Sequence, residues 1–234
     1  MPTRIVGVIG GMGPAATIDF MAKVLRHSQA GAACEQDNVR LIVDSNPWLP
    51  DRNAAIAGSG PSPAEGLAAM ARGLAGAGAQ VLVMPCNAAH AFADAVMAAT
   101  ALPFLHLVDE AAAAVVADHP EARRIGVLAV SGAVEARLYE RALEALGLVP
   151  IVPSADERTR FMDGVWRIKA GDLDRGRVAL RETAELLIAR GAEVIVAGCT
   201  EVPLVLGPDE LRVPLIDATD VLARRAVDFA RTGR

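Results

Sequence analysis

Nine residues, Gly78–Cys86 (GAQVLVMPC), recur with conservative changes as Gly191–Cys199 (GAEVIVAGC), at an offset of 199 − 86 = 113 in a chain of 234 residues. A second echo follows, LPFLHLVDEAAAAVV from Leu102 against VPLIDATDVLARRAV from Val213, at 214 − 103 = 111 between their prolines. The opening RIVGVIGG is answered by RIGVLAVSG at Arg124. A repeat of half the chain length predicts a duplicated lobe, because a solenoid would repeat every ~20–50 residues. Each copy ends an apolar, β-branched run with Pro or Gly and then a cysteine, so Cys86 and Cys199 are expected at equivalent strand exits.

Short β-branched runs alternate with longer Ala/Leu-rich segments of helical period, the pattern of βαβ units around parallel sheets. Strands are predicted at Arg4–Ile9, Val39–Asp44, Gln80–Met84, Pro103–Val108, Arg124–Val130, Leu148–Pro153, Glu193–Ala197 and Val213–Asp217. Helices are predicted at Ala15–His27, Pro63–Gly76, Ala88–Ala98, Glu110–Ala117, Val134–Ala145, Ala155–Lys169, Arg175–Ala189 and Asp220–Arg231. The domain division read from the echo assigns residues 1–103 with 212–234 to an N-terminal lobe carrying Cys86, and 104–211 to a C-terminal lobe carrying Cys199. In parallel α/β sheets ligands gather beyond the carboxyl ends of the strands, where both thiols are placed.

Composition narrows the functions open to such a chain. Hydrophobic residues make up 53% and aromatics 3%, which suits close strand–helix packing and argues against a stacking surface for nucleic acid. A net charge of −5 leaves no basic tail for phosphate backbones or anionic lipids. The N-terminal MPTRIVGVIGG is too short an apolar segment for a signal peptide, and no run approaches the ~18 residues of a spanning helix. The expectation is a cytoplasmic protein with no membrane partner. Cys34, Cys86 and Cys199 make a poor disulfide framework, and neither CxxC nor HExxH spacing suggests a metal. The glycine turn GVIGGMGP departs from GxGxxG, and Asp44 lies 44 − 13 = 31 positions beyond Gly13 rather than about 20, so nucleotide binding is disfavoured.

A lone buried cysteine is most often a small hydrophobe. Two at equivalent strand ends suggest chemistry instead: one thiolate and one thiol can take a carbon-bound proton from one face and return it on the other. An ordinary thiol, with a pKa of about 8.5, is little ionised at neutral pH, and a helix N-terminus would raise the thiolate fraction. Asn87 and Thr200 are read as helix caps beside the two sulfurs, with Glu201 in the next position. Cys34 has no such setting, and His27, His106 and His119 are read as structural.

At PCNAAH and GCTEV the chain resembles the aspartate/glutamate racemase family, especially its cofactor-independent aspartate racemases. GGMGPAAT (Gly10–Thr17), NPWLPDR (Asn46–Arg52), GVWRIKAG (Gly164–Gly171) and VPLID (Val213–Asp217) carry the same likeness along nearly the whole chain. The resemblance implies an α/β fold of two pseudo-symmetric lobes, each a four-stranded parallel sheet flanked by helices, with the active site in the cleft between them, usually in a homodimer. It implies racemisation of a small acidic amino acid with no cofactor and no metal. Cys86 and Cys199 would be the acid/base pair, Cys199 serving the L-isomer and Cys86 the D-isomer. Arg52 and Lys169 would hold the side-chain carboxylate, the first as a bidentate fork and the second as a point charge. Asn87, Ser131 and Thr200 would bind the α-substituents, Glu201 the ammonium or a thiol, and Met12 would line the site. His90 is given a supporting role behind Cys86.

Two positions depart from the family pattern. Ala88 stands where PCNTAH has a hydroxyl, and Val130–Ser131–Gly132–Ala133 replaces a TTGT-like segment, leaving one hydroxyl. Each lost donor weakens the α-carboxylate site by about 0.5–1.5 kcal/mol. Glutamate, another acidic amino acid or a molecule lacking the usual α-substituents therefore stands beside aspartate as a substrate. Hydantoin racemisation, arylmalonate decarboxylation and maleate isomerisation are rival reactions, and a non-catalytic binder of acidic metabolites is the rival outside enzymology.

Overall fold

The computed structural model describes residues 3–233, which divide into two compact units: the N-terminal part to Glu110 with Thr219 onward, and Ala111–Ala218. In the first, β1 (Val6–Gly10), β2 (Leu41–Ser45), β3 (Val81–Val83) and β4 (Phe104–Leu105) form a parallel sheet in the order β2-β1-β3-β4. In the second, β5 (Arg124–Val127), β6 (Val149–Ile151), β7 (Val194–Ala197) and β8 (Leu215–Asp217) repeat that order as β6-β5-β7-β8. The central strands β1, β3 and β7 are buried throughout, which is why they read as unbroken apolar runs rather than alternating ones.

Helices cover the sheets. The first unit holds α1 (Pro14–Gln29), α2 (Arg52–Ile56), α3 (Ala64–Gly76), α4 (Ala93–Ala99) and α10 (Ala218–Thr232), whose first residue falls in the other unit. The second holds α6 (Ser131–Glu135), α7 (Leu138–Ala145), α8 (Ala155–Lys169) and α9 (Leu173–Ala189). Helix α5 (Leu107–Asp118) begins in the first unit and continues in the second. Among the described residues no helix is long and apolar enough to cross a membrane.

The duplication extends to individual packing contacts. A methyl placed on Gly7 of β1 would meet Leu82 at 2.8 Å, Ala79 at 2.8 Å and Leu74 at 3.3 Å. One placed on Gly126 of β5 would meet Ile195 at 2.4 Å, Ala192 at 3.0 Å and Leu187 at 3.3 Å. Those partners are separated by 195 − 82, 192 − 79 and 187 − 74, each 113, the offset of the two cysteines. In both units a strand glycine lets the covering helix and the next strand close in, a role any larger side chain would obstruct.

Sequence reading and structure differ in several local places: the strand read over Pro103–Val108 stops at Leu105 and α5 starts at Leu107, and the one read over Arg124–Val130 stops at Val127. Ala88–Phe92 is a 3₁₀ turn followed by α4, not one continuous helix. The segment read as one helix from Val134 is broken between α6 and α7 at Arg137, which takes φ 53°, a left-handed conformation that ends a helical run. Helix α2, five residues long, carries too little apolar periodicity to be seen.

Candidate active site

In the first unit the exit of β3 leads through Met84 and Pro85 to Cys86, which is 6% exposed and not in a disulfide. Its amide donates to the Met84 carbonyl (2.8 Å), so the chain turns tightly at the sulfur-bearing residue. His90 closes the turn from the other side. The Leu107 amide donates to His90 Nε2 (3.1 Å), so the ring proton is on Nδ1, which donates to the Cys86 carbonyl at 2.9 Å. Burial first, then the neighbouring His106, depresses the His90 pKa to about 3. The imidazole is therefore neutral and bridges the cysteine turn to the start of α5. Phe104 stacks on it at 5.7 Å, and His106 meets it edge-on at 4.5 Å.

Met12 and Leu49 share a buried cluster with Cys86, Met84 and Ala89. Gly11, at φ 89°, lets the Asn46 backbone approach so closely that a methyl on Gly11 would lie 2.3 Å from the Asn46 amide nitrogen. That approach anchors the NPWLPDR loop. Arg52 donates from one guanidinium nitrogen to the carbonyls of Pro50 (3.0 Å) and Leu49 (3.5 Å). The adjacent Asp51 caps α2 by accepting from the Ala54 amide (2.8 Å). Among the described residues no carboxylate pairs with Arg52, which leaves its charge available to a ligand. Trp48, in the same loop, is 89% exposed.

The second unit builds its thiol differently. Cys199, 3% exposed, donates from Sγ to Glu201 Oε2 at 3.0 Å, and Thr200 Oγ1 donates to the same oxygen at 3.1 Å. Lys169, at the end of α8, places Nζ 3.2 Å from Glu201 Oε1 and 5.5 Å from the Trp166 ring centre. Burial, then the Glu201 carboxylate, pushes the Cys199 thiol well above its usual range, with Lys169 opposing. Gly198 lets Tyr139 pack behind the cysteine: a methyl there would lie 2.9 Å from the tyrosine ring. The phenol is itself raised by burial and then by the charges of Cys199 and Asp217. Ser131 opens α6, half-buried, and its hydroxyl makes no hydrogen bond to another described residue.

The structure thus gathers Lys169, Cys199, Thr200 and Glu201 into one bonded group and sets Met12, Cys86 and Asn87 together in the other unit. Two expectations are corrected. Asn87 is helical in its own backbone (φ −59°, ψ −55°) and its side chain makes no cap, while Thr200 bonds to Glu201 and caps nothing. Without those caps, and with only short 3₁₀ turns following both cysteines, the predicted lowering of thiol pKa by a helix terminus gives way at Cys199 to a rise. Tyr139 was missed, and the only signal for it was that the chain has a single tyrosine.

Comparison with known proteins places this arrangement. A family model described as Asp/Glu/Hydantoin racemase matches residues 9–226. The broad specificity amino-acid racemase RacX of Bacillus subtilis (strain 168) is 25% identical over 227 residues, covering 95% of this chain and 96% of that protein. The structure of Picrophilus torridus aspartate racemase superposes with a TM-score of 0.82 at 27% identity, over 97% of this chain and 94% of that one. Glutamate racemase from Francisella tularensis subsp. tularensis SCHU S4, solved in complex with D-glutamate, shares the fold with a TM-score of 0.71 at 17% identity, over 98% and 81% of the two chains. Two parallel four-stranded sheets of one strand order, each delivering a buried thiol at the exit of its third strand, accompany a sequence match from the first strand to the last helix: the chain belongs to the Asp/Glu/Hydantoin racemase family and is an isomerase of the racemase type.

Proposed function

We propose that the protein interconverts L- and D-aspartate, with glutamate as a second substrate, by a two-base proton transfer at Cα in which Cys86 and Cys199 are the acid/base pair. The observation that carries this reading is the placement of both buried thiols at the same point of the duplicated sheet. Inversion requires a base on one face of the α-carbon and an acid on the other, and two cysteines exchange those roles between directions. The proton leaves Cα to a thiolate, the resulting carbanion is reprotonated by the opposing thiol, and the enzyme ends with its proton on the other sulfur.

An acidic side chain is the substrate feature best matched to the remaining groups. Arg52 offers a guanidinium with no carboxylate partner among the described residues, and Lys169 adds a second cation that already holds one carboxylate, that of Glu201. In an acidic protein such cations are what attracts a dicarboxylate amino acid of net charge −1. Asn87, Ser131 and Thr200 are proposed for the α-substituents and Met12 for the apolar lining. The absence of hydroxyls at Ala88 and Ala133 loosens the hold on the α-carboxylate, which favours admitting glutamate as well as aspartate.

The test is a panel of D- and L-aspartate, D- and L-glutamate and alanine in deuterated water, read by chiral chromatography and mass. Each acidic isomer should yield its mirror image with deuterium at Cα, well ahead of alanine. No exchange with any amino acid would leave a binding protein, and alanine turned over as fast as aspartate would remove the cations from substrate recognition. Arg52→Ala should raise KM for aspartate by about 10–100-fold, the loss of charge-assisted bonds worth about 1.5–3 kcal/mol, with a smaller change in kcat. Unchanged KM would place Arg52 outside the site.

A further inference from the structure

We infer that Tyr139 is a positioning residue for Cys199, its hydroxyl supporting the negative charge that the sulfur carries while it is without its proton. The inference takes its catalytic meaning from the two-base reading, and its substance from one unit alone. Helix α7 starts straight after the left-handed Arg137, and Tyr139 in its first turn is 1% exposed. A methyl on Gly198 would lie 2.9 Å from Tyr139 Cε2, a ring carbon next to the one that bears the hydroxyl. Gly198 directly precedes Cys199 and turns tightly, its amide donating to the Val196 carbonyl at 2.9 Å. The hydroxyl end of the ring therefore lies against the turn that carries the sulfur, and nothing larger than glycine fits between them.

The duplication shows that packing alone does not call for the hydroxyl. Gly126 and Gly7 are 126 − 7 = 119 positions apart, and the same offset pairs Leu143 with Val24 and Tyr139 with 139 − 119 = 20, which is Phe20. All four helix residues are buried, Phe20 completely. The equivalent place is thus filled by a ring with no polar atom, whereas a buried hydroxyl costs free energy unless it is hydrogen-bonded. Asp217, which the phenol faces together with Cys199, also differs between the halves: the offset of 111 in the second echo pairs it with 217 − 111 = 106, His106. The charged groups around this phenol and sulfur are Asp217 at the end of β8, Lys169 at the end of α8, and Glu201 two residues beyond Cys199. Both carboxylates oppose a thiolate, and Lys169, which favours one, is tied to Glu201. The phenol, kept neutral by burial and then by the charges beside it, retains its hydrogen and offers it as a hydrogen bond when charge builds on sulfur.

The experiment gives Tyr139 the side chain of its counterpart and measures thiol ionisation rather than turnover. In a Cys34→Ser background, which removes the exposed thiol, iodoacetamide is applied across a pH series and modification of Cys199 is quantified by peptide mass spectrometry. Tyr139→Phe should raise the pH midpoint of modification and slow the reaction at neutral pH by about tenfold or more, the loss of one hydrogen bond to a charged group. The chain has a single tyrosine, so 3-fluorotyrosine supplied in place of tyrosine labels position 139 alone. Its fluorine resonance should shift over the pH range in which Cys199 becomes reactive, and that step should vanish in Cys199→Ser. A Cys199 midpoint unmoved or lowered in Tyr139→Phe would overturn the inference, and so would a fluorine step that persists in Cys199→Ser. Should Tyr139→Phe fail to fold, the fluorine titration decides alone. A protein inert toward every amino acid whose Cys199 midpoint rises in Tyr139→Phe would sink the racemase chemistry and leave the role of Tyr139 standing; an active racemase with an unmoved midpoint would do the reverse.

Discussion

Serine at position 199 is expected to stop racemisation while leaving one half-reaction alive. Cys86 would still remove the α-hydrogen of the isomer that presents it, and would return a solvent proton to the same face. In deuterated water the Cys199→Ser protein should therefore exchange the α-hydrogen of one isomer, D-aspartate if the direction implied by the resemblance holds, without producing the other. Cys86→Ser should show the mirror pattern. The hydroxyl is too weak an acid to supply the missing base near neutrality, so inversion should fall by about 10²–10⁴-fold or more in either variant. Since enantiomers have equal free energy in water, kcat/KM must fall by the same factor in both directions, and only the exchange experiment separates the roles. Exchange of both isomers at comparable rates by either variant would refute the assignment of one thiol to each face.

The second large effect is on stability and is read with acid. His90 has a pKa near 6.5 when the chain is unfolded and about 3 when folded, chiefly because burial excludes the charged ring. Between those values the unfolded chain binds a proton that the folded chain refuses, so this contribution to stability is complete above pH 6.5 and is lost as pH falls toward 3. The slope approaches about 1.4 kcal/mol per pH unit. His106, lowered mainly by burial, acts in the same direction. Urea unfolding at pH 7 and pH 5 should show the loss before ordinary carboxylates titrate. His90→Phe should be less stable at pH 7, since the Cys86 carbonyl and Leu107 amide lose their partner at roughly 1–3 kcal/mol each, yet lose less between pH 7 and pH 5 than the parent. An undiminished acid slope in His90→Phe would show that another group carries it.

Much of this architecture could be read from residue order because it rests on short-range pattern. The apolar runs of β1, β3, β5 and β7 have no helical period, and their echo alone sets both cysteines at equivalent strand exits. The partners of those cysteines were harder to find. His90 is visible four residues after Cys86, but its ring is fixed by Leu107, an amide that only the path from β4 into α5 brings near. Lys169 and Glu201 are 32 positions apart, 201 − 169, and their pairing depends on the packing of α8 beside the β7 exit. The cap assignments failed for a local reason: Asn87 is itself helical rather than extended, as a capping residue needs to be, and the short 3₁₀ turn of the second half starts after Glu201, one position beyond Thr200. The acidity of Cys199 was misjudged with them, because burial and then the neighbouring Glu201 carboxylate raise the thiol, with no helix end to offset them.

The exposed indoles have a practical consequence. Trp48 and Trp166 are the chain's two tryptophans, one in each compact unit, 89% and 52% exposed, four residues before Arg52 and three before Lys169 respectively. Each half thus carries its own intrinsic fluorophore beside the cation proposed to meet the ligand. Proteins keeping only one of the two would give separate emission signals for ligand titration and for melting, so that arrival of a dicarboxylate at either cation, or unfolding of one half ahead of the other, could be followed by spectral shift without any label.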